Sequence, residues 1–231
     1  VANNLSIENL GLPADFGIDV ELTTADGNTI RGWLLKGSGK HLPADGKHLL
    51  AIYFPGNSLN RHERINDLRE FASRGFDVLI FDYRGYGDST GSPSESALSA
   101  DALLIWQYAR ETLGHDEHDI VVFGESLGGA VALSMWSKEN PVPPQPGALI
   151  LNSTFASMPQ TIQWHYPMFP FQFLVLDRWP SIDRIGAVET QIIVFHGAED
   201  QMVPVAQGRK LAQASTQARF IEVQGGTHNQ I

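Results

Sequence analysis

Val121-Val122-Phe123-Gly124-Glu125-Ser126-Leu127-Gly128-Gly129-Ala130 is the stretch whose reading decides this chain. An apolar, β-branched run ends in Gly-Glu-Ser-Leu-Gly, and a run of small residues follows. The pattern is a strand, a sharp turn and a helix, with the G-x-S-x-G spacing of a nucleophile elbow. The turn is expected to hold Ser126 in strained backbone geometry, with Gly124 and Gly128 permitting the close approach of strand, turn and helix. It lifts the hydroxyl clear of the sheet. It also aims the backbone N–H of Leu127, at the start of the helix, toward the place where an oxyanion would form. The plainer alternative is an ordinary strand–helix turn that contains a serine; the flanking patterns favour the elbow.

The same alternation extends outward in both directions. Upstream, residues 1–17 read as an irregular lead-in. Residues 18–23 alternate at period two, Ala25-Asp26-Gly27-Asn28 is a turn signal, and 29–35 return as the second arm of a hairpin. Residues 36–47 read as a polar loop. Residues 48–54 form a nearly continuous apolar run, the mark of a strand buried on both faces, and end at Pro55-Gly56-Asn57-Ser58. Ile65, Leu68, Phe71 and Ala72 mark a helical stripe within 60–74, closed by Gly75. Residues 76–82 are the next strand, 83–91 a glycine-rich loop. Ser92-Pro93-Ser94-Glu95 reads as a capping box with proline at the first helical position, opening a helix to about Leu113. Downstream of the elbow come a helix over 127–138, a Pro-rich loop over 141–146, strands at 148–152 and 191–196, a helix over 205–214 and a last strand at 219–223. Strand–helix alternation after an opening hairpin predicts an α/β fold with a mostly parallel eight-stranded sheet and helices on both faces.

Composition bounds the rest. With 231 residues, 42% hydrophobic and 18% charged, and no shift in composition, residues 1–231 are expected to form one α/β domain. The net charge of −10, without a basic stripe, excludes nucleic acid as a partner. The absence of cysteine excludes disulfides, thiolate metal sites and a cysteine nucleophile. No H-x-x-x-H pair or carboxylate cluster suggests a metal site. No apolar run is long enough to span a bilayer and no signal peptide is visible. Because the chain begins at Val1 rather than Met, an upstream segment is expected to have been removed. A soluble domain and one associated with a membrane through that segment both remain open.

A serine hydroxyl is a poor nucleophile at neutral pH; it needs a base, and the base needs an orienting acid. In an open α/β sheet these groups sit beyond the carboxyl ends of strands, and after an elbow of this type the order is acid, then histidine. The strand ending at His196 is followed by Gly197-Ala198-Glu199-Asp200, and the last strand by Gly225-Gly226-Thr227-His228. Asp200 is assigned as the acid, with Glu199 as runner-up, and His228 as the base. Taken alone, Asp200 reads equally as a turn or capping residue; its position after a strand decides. His228 is the one histidine after the last strand. His41, His48, His115 and His118 read as loop or strand-edge residues, His196 as a structural strand-end residue, and His62, near the candidate oxyanion loop, and His165, in the insertion, are not expected to touch substrate. The oxyanion hole needs two donors. Leu127 N–H is one, and Asn57 N–H, with Ser58 as alternative, is the other.

These motifs resemble those of serine hydrolases of the α/β-hydrolase superfamily. The matching pieces are Phe54-Pro-Gly-Asn57, Asp82-Tyr-Arg-Gly-Tyr-Gly-Asp-Ser89, Gly124-Glu-Ser-Leu-Gly128, His196-Gly-Ala-Glu-Asp200 and Gly226-Thr-His228, in the family's order from about residue 18 to the end. The chain most resembles compact abhydrolase-domain proteins with a short cap, many of them tethered by an N-terminal membrane segment. The resemblance implies the α/β-hydrolase fold and an esterase, thioesterase, lipase-like or peptidase activity without a cofactor. It carries the nucleophile to Ser126, its partners to Asp200 and His228, and the oxyanion donors to Leu127 and Asn57. Two departures stand out. Pro55-Gly56 replaces the family's usual His-Gly, and the chain ends three residues after His228, where relatives usually continue into a closing helix.

Residues 155–190 fall where that fold carries its cap. They include Phe155, Trp164, Tyr166, Phe169, Phe171, Phe173 and Trp179, broken into short pieces by prolines. Most of these aromatics are expected to pack the cap onto the body, with a few lining the cleft. The chain therefore reads as a serine hydrolase cleaving carboxylic esters or thioesters of a small-molecule or lipid-like acyl substrate. The rivals are a peptidase or amidase of the same fold and a non-catalytic binding domain. The rate is expected to rise through the ordinary histidine range, about pH 6–7.

Overall fold

The computed structural model describes residues 5–10, 15–38, 48–57, 60–168 and 171–230. Ser58, His41 and Phe169, to which the sequence reading attaches expectations, lie outside them. In chain order the elements are β1 (Gly17–Thr23), β2 (Thr29–Leu35), β3 (Leu49–Phe54), α1 (Ile65–Ser73), β4 (Phe76–Phe81), α2 (Glu95–Gln107), β5 (Ile120–Glu125), α3 (Leu127–Ser134), β6 (Ala148–Asn152), α4 (Met158–His165), α5 (Ser181–Arg184), β7 (Ile192–Gly197), α6 (Val205–Gln213) and β8 (Ala218–Val223). The strands form one sheet in the order β1-β2-β4-β3-β5-β6-β7-β8. β1, β2 and β4 pair antiparallel, and the pairs from β4 through β3 to β8 are parallel. The carboxyl ends of β3 to β8 therefore lie at one edge of the sheet, where the loops that carry the candidate site emerge.

Side-chain alternation divides the core in two. Leu50, Ile52 and Phe54 of β3, Leu79 and Phe81 of β4 and Ile120 and Val122 of β5 join one buried cluster with residues of α2, α3 and α6. Ala51 and Tyr53 of β3 and Val78 and Ile80 of β4 join a second cluster with Leu68 and Ala72 of α1. The unbroken apolar runs of β3 and β4 are thus buried on both faces, as their sequences predict. Farther along the α1 side, Phe123, Ile150 and Phe195 line an open hollow of about 600 Å³.

Two local expectations are corrected. Ser94, not Ser92, caps α2: its backbone is extended and its hydroxyl accepts the Ala97 N–H at 3.2 Å. Pro93 precedes the cap. The Glu95 carboxylate does not turn back on the helix start; it accepts Trp179 N–H at 2.8 Å and Arg184 Nη2 at 2.7 Å. A guanidinium and an amide from the β6–β7 segment satisfy that charge better than one capping amide would. The second correction concerns the aromatics of 155–190. Phe155 and Trp179 are buried, but Trp164, Tyr166, Phe171 and Phe173 are exposed. The segment has only short helical pieces, too little surface to fold inward over every ring.

Candidate active site

The elbow forms because its glycines admit backbone where a side chain would collide. A Cβ on Gly128 would stand 2.0 Å from the Phe54 carbonyl oxygen, and one on Gly124 would stand 2.5 Å from Gly129 Cα. β5 and α3 can therefore meet tightly beside the end of β3, and Ser126 between them adopts φ 50°, ψ −115°. That left-handed conformation costs a non-glycine residue roughly 1–3 kcal/mol. It is held from both sides. The Ser126 N–H donates to Asn152 O at 2.8 Å. Glu125 accepts Tyr53 Oη–H at 3.0 Å and Arg64 Nε and Nη2 at 2.7 and 2.9 Å, which ties the elbow to β3 and to the start of α1.

Three side chains distant in sequence meet at this edge of the sheet. His228 Nε2 lies 3.1 Å from Ser126 Oγ, and His228 Nδ1 lies 2.7 Å from Asp200 Oδ2. Asp200 and His228 are buried. The second Asp200 oxygen, Oδ1, accepts the N–H groups of Met202 and Val203 at 2.9 and 2.8 Å. Burial alone would raise the Asp200 carboxyl. Hydrogen bonds from His196, His228 and the Val203 amide outweigh it and hold the group well below the usual carboxylate range. An ionised Asp200 selects the His228 tautomer with hydrogen on Nδ1, which leaves Nε2 able to accept the serine proton. Glu199 is exposed and takes no part in this chain of contacts.

His196 has more to do than end a strand. It is fully buried, its Nε2 donates to Val203 O at 2.8 Å, and the same nitrogen lies 3.3 Å from Asp200 Oδ2. Asp200 is therefore flanked by two imidazoles. Gly208 makes room for this ring, since a Cβ there would stand 2.2 Å from His196 Nδ1. The sequence contained one signal for it, the i, i+4 spacing of His196 and Asp200 across a turn.

A cleft of about 520 Å³ opens at Leu127, the residue after the serine. Leu127 and Asn57 border it, with Tyr86, Leu98, Met158, Ile162 and Trp179 along its wall. Leu127 is the first residue of α3, so its N–H has no acceptor within the helix. The Pro55-Gly56-Asn57 loop is held by two tyrosines from the glycine-rich loop: Tyr83 Oη donates to Pro55 O at 2.7 Å, and Tyr86 Oη to Asn57 Oδ1 at 2.6 Å. Arg84, between them, is anchored on Asp101 by a bidentate pair at 2.8 and 2.6 Å. These bonds fix the loop where Pro55 departs from the His-Gly pattern. The role of both tyrosines is not legible in the sequence, because nothing in the Tyr-Arg-Gly-Tyr run says which loop it will face. The hollow on the α1 side touches His228, but neither Asn57 nor Leu127 lines it. The cleft, bordered by Leu127 next to Ser126 and by Asn57, is the candidate space for a substrate. His62 and His165 do not line it; the His165 ring lies 2.8 Å from Met202 O. Among the described residues no cluster of three or more His, Asp or Glu side chains is disposed to hold a metal ion.

Comparison with known proteins adds four findings. A model of the alpha/beta hydrolase fold family matches residues 52–181. An uncharacterised protein of Mycobacterium tuberculosis is 37% identical over 220 residues, which cover 94% of this chain and 74% of that protein. The lysophosphatidylserine lipase ABHD12 of Danio rerio is 30% identical over 189 residues, which cover 75% of this chain and about half, 49%, of the lipase. Among solved structures, the Pyrococcus furiosus esterase Pf2001 superposes with a TM-score of 0.70 over 99% of this chain and 88% of its own, at 17% identity. At that identity the likeness is one of fold.

Proposed function

Since this chain belongs to the alpha/beta hydrolase fold family and is a hydrolase, we propose that it cleaves carboxylic esters or thioesters through an acyl-enzyme on Ser126. The observation that carries the reading is the contact chain from Ser126 Oγ through His228 to Asp200, at 3.1 and 2.7 Å. Ser126 Oγ attacks the carbonyl carbon while His228 Nε2 takes its proton. Asp200 keeps the imidazole in the required tautomer and stabilises its positive charge. The N–H groups of Leu127 and Asn57 hold the oxyanion of the tetrahedral intermediate, a contribution of about 10²–10³ in rate for each donor. As the intermediate collapses, the C–O or C–S bond breaks and His228 gives the proton to the leaving alcohol or thiol. Water, deprotonated by the same imidazole, then attacks the acyl-serine and releases the acid. The apolar wall of Leu98, Met158, Ile162 and Trp179 suits a small-molecule or lipid-like acyl group. The activity of one relative, a lysophosphatidylserine lipase, supports the same substrate chemistry.

The test is labelling with a fluorophosphonate probe, followed by mass spectrometry of the modified peptide. The expected result is one adduct, on Ser126, absent from Ser126→Ala. A folded protein that resists the probe, or an adduct on another serine, overturns the assignment.

A further inference from the structure

We infer that the exposed apolar surface between α4 and α5 is a docking face for a neutral or zwitterionic lipid–water interface. The inference extends the acyl-hydrolase reading and rests on it for the role of the cleft.

Large apolar side chains usually leave water, and scattered exceptions need no account. Here they are gathered in one short segment. Leu176, Met168, Phe173 and Leu174 are 94%, 88%, 76% and 75% exposed, and Trp164 and Tyr166 are about half exposed. The Tyr166 ring packs edge-on against Phe171 at 5.5 Å, so the rings stand together rather than apart. Exposed Met202, from the loop that carries Asp200, extends the surface; its carbonyl lies 2.8 Å from the His165 ring, which fastens the loop to α4.

Three further observations choose the occupant. First, the face is continuous with the candidate substrate cleft: Phe171, Leu174 and Leu176 line it together with Asn57 and Leu127. A second copy of this chain seated there would stand across the cleft mouth. A lipid surface would instead present acyl esters to it. Second, no Asp, Glu, Lys or Arg occurs between Glu139 and Asp177, in a chain that is 18% charged. A surface without charge pays little desolvation on entering the region between headgroups and acyl chains. Third, the chain carries a net charge of −10. That charge opposes approach to an anionic membrane and to a second copy alike, and leaves neutral and zwitterionic surfaces as the favoured ones. The residue types also fit, since Trp and Tyr settle at the membrane–water boundary.

The test is flotation with phosphatidylcholine vesicles, performed on Ser126→Ala protein so that turnover plays no part. The comparison protein adds Met168→Glu and Phe173→Glu, two exposed positions outside the cleft lining; Met168→Ser with Phe173→Ser is the milder pair, and circular dichroism checks that both fold. The parent protein should float with the vesicles, and each pair should lower the bound fraction, the Glu pair by about tenfold or more. With Ser126 restored, the Glu pair should hydrolyse a water-soluble short-chain ester at the parent rate. Absence of flotation, or equal flotation of parent and Glu pair, overturns the inference. So does preferential binding to vesicles containing phosphatidylserine. A dimer that the Glu pair dissociates, without flotation, assigns the face to a second copy. Flotation is read without catalysis, so its outcome and that of the fluorophosphonate labelling are independent.

Discussion

Replacing Asp200 by asparagine removes one charge without changing shape, and the surrounding donors dictate how the amide must sit. Oδ1 of Asp200 faces two backbone donors, the N–H groups of Met202 and Val203 at 2.9 and 2.8 Å. The asparagine oxygen must take that place, because the opposite rotamer would point an NH₂ at two N–H groups and leave both unsatisfied in a buried site. The NH₂ then faces His228 Nδ1, where the carboxylate oxygen stood at 2.7 Å. Against a donor, Nδ1 must be the acceptor, so the imidazole hydrogen moves to Nε2 and meets Ser126 Oγ at 3.1 Å. A protonated Nε2 cannot take the serine proton. The expected loss in kcat is about 10³–10⁴, or roughly 4–5.5 kcal/mol of transition-state stabilisation. Hydrolysis of a p-nitrophenyl ester measures it at pH 7, with far-ultraviolet circular dichroism to show that the variant folds. A folded Asp200→Asn enzyme within tenfold of the parent would refute the tautomer argument and remove Asp200 from the site. The same variant tests the charge state. The hydrogen bonds that hold the Asp200 carboxyl below its ordinary value make its ionised form a stabilising one. That contribution is complete above the unfolded value of about 3.9 and is lost only as the pH falls through the lower folded value. Parent and variant should therefore differ in urea midpoint at pH 7, and the gap should start to narrow only below about pH 4.

The other predictions concern what holds the site. Gly128→Ala places a Cβ 2.0 Å from the Phe54 carbonyl oxygen, and backbone at the elbow cannot yield without disturbing β3. A stability loss of roughly 1–3 kcal/mol is expected, read as a lower urea midpoint, and an unchanged midpoint would contradict the packing described here. His196→Phe keeps the ring but removes the donor shared by Val203 O and Asp200. It should lower kcat by about tenfold or more with little change in KM, while His196→Gln, which keeps a donor at similar reach, should recover most of the rate. Equal loss in both variants would reduce His196 to a packing residue.

Much of this protein is legible without coordinates, and the reasons are local. Period-two patterning marks β1 and β2, unbroken apolar runs mark β3 and β4, and the glycine turn at 25–28 fixes the hairpin. Backbone sterics at Gly124, Ser126 and Gly128 allow few turns other than an elbow. Asp200 and His228 are legible because loops after parallel strands gather at one edge of a sheet. The errors are equally physical. Residues 92–95 match a capping box in sequence, but the Glu95 carboxylate finds Trp179 and Arg184 across the fold instead. Composition predicts that most aromatics of 155–190 pack inward, but it says nothing of how much surface lies beneath them.

Local sequence marks the eight strands, their order along the chain, the nucleophile turn and the two loops that supply its partners, because each is encoded within a few residues of backbone preference. Only the tertiary structure decided which groups meet. It brought His228 to Ser126 across 102 residues, set His196 beside Asp200, and laid Tyr83 and Tyr86 over Pro55 and Asn57. It also buried Phe155 and Trp179 of the β6–β7 segment while leaving Trp164, Tyr166, Phe171 and Phe173 exposed. Such contacts follow from strand order and side-chain packing across the whole sheet, which no local periodicity records.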